Sequence, residues 1–288
     1  MGSTAFFVNG TSAMNATEDL DLFCVTLLAG PLIWAIFSVP CVCVGVPASV
    51  CLLWVLVQRQ RSGLSNNIYM INLTVMDLIY NVFKLPGVLN FLVWRDHQVL
   101  KLMYILEGFN LNGRPLFMAC SCVDCYVAVV SPVKYMKLSQ SRYRPAVCAL
   151  VWAFTLVFDL LFGFHSNLLH YCVWGMPRLL AVSTITFCDF VVLRALRKPD
   201  PSGKTDVHPQ KQRALQTITN SFIMTVASYL PPLLVQMHTG LIPLSPQEMY
   251  CHINTPSLIF SMLGSTLLPL LCLVNLGRLK DLRICNCI

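Results

Sequence analysis

The sequence predicts an all-α membrane protein: a seven-transmembrane helix bundle followed by a short cytoplasmic amphipathic helix, helix 8. Three observations lead there. Of the 288 residues, 56% are hydrophobic and 11% charged, whereas a soluble domain of this length carries roughly twice that charge. The few charges are also segregated. No Asp, Glu, Lys or Arg occurs in 22–58, 160–177, 214–247 or 249–277. A membrane helix needs about 20 mostly apolar residues; three of these windows exceed that and the second nearly reaches it. Finally, the basic residues fall in short segments between apolar runs, a membrane pattern. That placement also disposes of the nucleic-acid reading invited by the net charge of +7.

Helices are expected over 31–57, 66–93, 98–130, 146–165, 174–197, 212–238 and 253–276, with a short amphipathic helix from Gly277. The chain thus divides into an extracellular segment 1–29, a membrane domain 30–276 and a cytoplasmic tail 277–288. Pro47, Pro86, Pro115, Pro231 and Pro269 lie inside spans, where neighbouring helices can satisfy the freed carbonyls. No internal repeat is visible, against an inverted-repeat transporter. Residues 1–29 hold no Lys or Arg, so no cleavable signal peptide is expected and the first span serves as the insertion signal. The N-terminal Met-Gly-Ser-Thr-Ala-Phe lacks the hydroxyl residue of a myristoylation signal.

Orientation follows from the basic segments. Arg59 and Arg61 follow the first helix; Lys134, Lys137, Arg142 and Arg144 the third; Arg194, Arg197, Lys198, Lys204, Lys211 and Arg213 the fifth; Arg278, Lys280 and Arg283 the last. These 15 of the 20 basic residues lie on one side, which is therefore cytoplasmic. An odd number of spans puts the N-terminus outside, where Asn9 and Asn15 are glycosylation acceptors. Asn72 fits the same pattern but lies in a span.

Most of the fourteen cysteines fall within spans, where a thiol is a small apolar packing residue. Cys122-Val-Asp-Cys125 has C-x-x-C spacing, but no second such pair accompanies it and it lies within a span, so zinc is not expected. Neither a cofactor nor an enzymatic reaction is indicated: no H-E-x-x-H, G-x-S-x-G or phosphate loop occurs, and the six histidines are scattered.

Ionisable residues inside spans are functional candidates by default. Asp77, Glu107, Arg114, Asp159 and Asp189 are of this kind, and so could line a transporter or channel pathway. Lys84 and Glu107 have two readings, a ligand site or a mutual ion pair that ties two helices. Lys84, Lys101 and Arg178 would suit an anionic ligand and Glu107 a cationic group, so the ligand's sign is left open. Tyr104, Tyr229, Gln236 and His238 complete the pocket candidates.

Five motifs narrow the class. Asn72-Leu-Thr-Val-Met-Asp77 resembles the Asn-Leu-x-x-x-Asp of helix 2 in rhodopsin-like G-protein-coupled receptors. Asp124-Cys125-Tyr126, with the stretch to Tyr135, is similar to their Asp-Arg-Tyr segment. Trp152 matches the helix 4 tryptophan. Ser228-Tyr229-Leu230-Pro231 resembles Cys-Trp-x-Pro, and Leu268-Pro269-Leu-Leu-Cys272 sits where Asn/Asp-Pro-x-x-Tyr would be. The resemblance runs from about Gly45 to the C-terminus. The Ile68–Leu73 run and the Asn110…Gly113 spacing look most like the nucleotide, lysophospholipid and small-carboxylate branch.

The resemblance implies a plasma-membrane receptor for an extracellular small molecule, with a heterotrimeric G protein, and arrestin as a second candidate, on the cytoplasmic side. It also implies that Asp77 stands where the family binds sodium. Here Arg114 replaces the small helix 3 hydroxyl, and is expected to pair with Asp77, with Ser265 nearby. On the cytoplasmic side the switch residues are Asp124, Cys125, Tyr126, Asp189 and Cys272. Cys125 stands for the family arginine; Asp189 and Cys272 stand for two tyrosines. Those departures raise an alternative, a decoy or partner-modulating receptor that binds ligand without ordinary coupling. A Cys24–Cys251 disulfide is implied by the same branch, leaving Cys172 without an obvious partner. Cys285 and Cys287, after a basic amphipathic stretch, are acylation candidates that would pin the short helix to membrane lipid.

Overall fold

The computed structural model describes residues 29–62, 67–94, 96–133, 135, 143–162, 168–197, 209–239 and 255–278. Every described element is helical. Helix α1 spans Ala29–Arg61. Helix α2 spans Ile68–Leu89 and runs on into a π-helical turn, Asn90–Trp94. Helix α3 is His97–Val130, α4 is Tyr143–Phe162 and α5 is Leu168–Leu196. Helix α6 is composite, with Pro209–Met224, a π-helical turn Thr225–Tyr229 and Leu230–Thr239. Helix α7 is Thr255–Arg278. All seven are long and apolar enough to cross a membrane, so the expected seven spans are present.

Local sequence explains several boundaries. Asp96 caps α3, its carboxylate accepting from the backbone N–H groups of Gln98 at 2.7 Å and Val99 at 3.4 Å. Asn90, ending α2, exchanges two hydrogen bonds with the Asp96 backbone and so fixes the α2–α3 turn. The widened turn Thr225–Tyr229 lies just before Pro231. There the Leu230 N–H reaches back to the Thr225 carbonyl, an i→i+5 bond that re-routes the ladder where proline removes a donor. Helix α7 passes through Gly277, the expected start of a new helix, and ends at Arg278. The expected amphipathic helix otherwise lies outside the described residues, as do Asn9, Asn15, Cys24, Cys251, Cys285 and Cys287.

Helix α3 is the central strut, packed against α2, α4, α5 and α6, while α1 closes the bundle against α2 and α7. The burial pattern is inverted relative to a soluble protein. Leu150, Phe187, Phe190 and Phe222 are exposed, whereas Asp77, Lys84, Arg114, Asp159 and Arg178 are buried. The outward apolar residues suit lipid. The inward charges must find partners within the bundle.

Candidate functional site

The buried polar groups form a ladder through the bundle. At one end, Lys84 on α2 and Glu107 on α3 pair at 2.6 Å. The Lys84 ammonium also donates to the Tyr80 hydroxyl at 2.7 Å. The Tyr80 hydroxyl donates to the other Glu107 oxygen at 2.7 Å. The rings of Tyr80 and Trp34 lie 4.5 and 4.9 Å from the ammonium. Lys84 and Glu107 therefore form the mutual pair that is one of their two readings. Tyr80, one helical turn before Lys84, is not among the sequence candidates; its i, i+4 spacing from Lys84 is the available signal.

Nearby, the Asn112 amide donates to Asp159 at 2.8 Å, tying α3 to α4. Arg178 enters from α5, fully buried, with Asp159 and Glu107 as its charged neighbours.

The middle rung is Asp77 with Arg114. Arg114 Nε lies 2.5 Å from Asp77 Oδ1, and both side chains are within 1% of complete burial. Arg114 Nη1 donates to the Ser261 carbonyl of α7 at 3.2 Å, and the Tyr229 ring of α6 lies 5.9 Å from the guanidinium carbon. One side chain thus ties its own helix to three others. Glycine at 264 makes this possible, since a Cβ there would stand 2.6 Å from Arg114 Nη1 and 2.7 Å from Ser228 Oγ. Ser265 lies on the same helix but hydrogen-bonds Asn81 at 3.1 Å. A sodium ion does not fit this donor set. Asp77 already faces a fixed cation, and the Ser265 hydroxyl is engaged elsewhere.

At the opposite end, Asp124 is held by Arg144 of α4. Arg144 Nη2 reaches the two carboxylate oxygens at 2.8 and 3.1 Å, and Nε adds a bond of 3.1 Å. The Tyr143 hydroxyl donates at 3.3 Å, and the Tyr135 and Tyr143 rings flank the guanidinium at 5.2 and 5.9 Å. This corrects the reading of Arg144 as a loop charge: it lies in the first turn of α4 and is 1% exposed. A lone basic residue at a span edge gives no sequence signal that it turns inward.

Cys125 packs as an apolar group against Val192, Ala214 and Ile218, together with Tyr126 and Val129. The Tyr126 ring lies 6.2 Å from that of Phe187. Asp189 accepts from the Ser221 hydroxyl at 2.6 Å, linking α5 to α6. Next to it, the Asn220 amide contacts Cys272 Sγ at 3.5 Å and accepts from Asn275 at 2.8 Å, linking α6 to α7. Trp152 donates to Asn72 at 2.8 Å, joining α4 to α2. Lys101, Tyr104, Gln236 and His238 lie on described helices, but their side chains are outside the described set.

Comparison with known proteins agrees with this geometry. Residues 48–271 match the model of the 7 transmembrane receptor (rhodopsin family). Over 257 residues the chain is 26% identical to a purinoceptor of Xenopus laevis, covering 76% of this chain and 46% of that one. It is 29% identical over 205 residues to G-protein coupled receptor 35 of Homo sapiens, covering 66% and 63%. With 2-oxoglutarate receptor 1 of Rattus norvegicus it shares 26% over 152 residues, covering 51% and 43%. The chain thus spans between about two fifths and two thirds of these relatives' own lengths. The family model matches most of the chain and all the motifs fall in order on the right helices, so this protein belongs to the rhodopsin family of seven-transmembrane receptors.

Proposed function

We propose that this chain is a plasma-membrane receptor, N-terminus outside, that senses an extracellular small molecule and signals through a heterotrimeric G protein. The observation carrying this reading is the Asp77–Arg114 rung, where one buried guanidinium joins α2, α3, α6 and α7. A ligand among the outer halves of the helices would bias the position of α6 about Pro231, and would do so only by its differential affinity for the two positions. Relatives named for purines and for 2-oxoglutarate support a small polar ligand. The Cys24–Cys251 disulfide, glycans at Asn9 and Asn15 and acyl groups at Cys285 and Cys287 belong to the same reading.

The decoy reading is favoured by one observation, the apolar packing of Cys125 in the position of the family arginine. One experiment separates the two. G-protein activation and arrestin recruitment are measured against nucleotides, lysophospholipids and small carboxylates, for wild type and Cys125→Arg at matched surface expression. A wild-type response supports a signalling receptor. A response confined to the variant supports a decoy. Silence in both, and in Cys125→Arg/Asp189→Tyr, with ligand flux into sealed vesicles, would overturn the receptor reading.

A further inference from the structure

Lys84 is surrounded as a bound acid's partner would be. Its ammonium meets a carboxylate oxygen at 2.6 Å, a phenol at 2.7 Å and two aromatic faces within 5 Å. The same phenol donates to the carboxylate's second oxygen. A cation, a hydroxyl donor and an apolar wall are the elements of a carboxylate site. Here the carboxylate comes from the chain itself. Arg178 adds a second buried cation to the neighbourhood of Glu107, and Asp159 stands beside Arg178. The buried charged groups at this end, among the described residues, are thus two cations and two anions.

We propose that Lys84, Tyr80 and Trp34 form an acid-binding cradle that Glu107 fills as a resident counter-ion, so Glu107 determines specificity by excluding acids from this subsite. This builds on the receptor reading in one respect, that the outer halves of the helices face the ligand. The ligand taken there presents no acid group to Lys84. Removing the Glu107 carboxylate exposes the cradle to an external one.

Chemical rescue tests this without any signalling readout, so its failure and a failure of the ligand panel are distinguishable. Glu107→Ala deletes a fragment the size of acetate. Thermal stability of the purified full chain is measured in sodium acetate and in sodium chloride at equal ionic strength. Glu107→Ala is expected to melt several degrees below wild type and to recover most of that loss in acetate but not chloride. Wild type and Lys84→Met/Glu107→Ala should respond to neither. Equal recovery in both salts, or acetate recovery in the double variant, would overturn the proposal. Where Glu107→Ala is not recovered folded, Lys84→Met/Glu107→Leu decides: the cradle requires that it be better expressed than either single change, since an isolated buried charge is costlier than none. A double variant no better than the singles sinks the idea.

Discussion

Arg144 of α4 grips both oxygens of Asp124 on α3, so the acid of the helix 3 motif is anchored by a neighbouring helix and not by the residue that follows it in sequence. Three charge-assisted bonds and two flanking tyrosine rings hold the guanidinium. Hydrogen bonds to charged groups contribute about 1.5–3 kcal/mol net, and bonds shared by one guanidinium and one carboxylate act as a unit and do not add. Arg144→Ala should therefore lower stability by roughly 2 kcal/mol, read as a fall of several degrees in the melting temperature of detergent-solubilised protein. Arg144→Lys should recover less than half, because an ammonium cannot reproduce the planar two-oxygen contact. Full recovery with lysine would show that charge alone is what matters there.

Arg114 and Asp77 give a second test, through sodium. Removing one partner of a buried pair costs about 3–5 kcal/mol because the other charge is stranded. Arg114→Ser strands Asp77 and restores a hydroxyl beside it. The variant is expected to be more stable in sodium chloride than in choline chloride at equal concentration, with wild type indifferent. If the variant ignores the cation, or if wild type already responds, Arg114 does not occupy the cation's place.

These pairs differ in how far the sequence reveals them. The spans are legible because twenty apolar residues and a basic flank are a solvent requirement, independent of neighbours. Asp77–Arg114 and Lys84–Glu107 are legible because a charge within a span must be paired, leaving few candidates. Arg144 is not, since a charge at a helix edge can reach water or turn inward, and only packing decides. The α6 ties of Asn220 and Ser221 are hidden for a similar reason: uncharged polar side chains are common in spans and can be satisfied by their own helix, as Thr74 and Thr155 are.

Gly264 offers a packing test of the Asp77–Arg114 rung. An added Cβ would meet Arg114 Nη1 at 2.6 Å and Ser228 Oγ and Cβ at 2.7 and 2.8 Å. Both are pinned, one by its ion pair and one by the helix. At Gly87 the nearest atom is Met103 Sδ at 2.8 Å, part of a flexible side chain. Gly264→Ala is expected to cost about 1–3 kcal/mol by overpacking, and Gly87→Ala clearly less. Equal melting temperatures for the two variants would mean that α7 can move away from Arg114 freely.

Restoring the family arginine by Cys125→Arg is expected to create a new tie, not the family's. The new guanidinium would enter the cluster of Val192, Ala214 and Ile218, with Asp124 and Asp189 as the acids beside it. Asp124 is already held by the Arg144 guanidinium. Asp189 accepts instead from a neutral group, the Ser221 hydroxyl. Asp189 is therefore the acid that captures the introduced charge, linking α3 to α5 and releasing Ser221 of α6. A double-mutant cycle with Asp189→Tyr measures that capture. The tyrosine change should destabilise the Cys125→Arg protein by at least about 1 kcal/mol more than it destabilises wild type, a coupling typical of residues in contact. In signalling assays the double variant should then respond several-fold more than Cys125→Arg alone, because its arginine is free for a cytoplasmic partner. Additive stabilities together with equal signalling would place the introduced guanidinium away from Asp189.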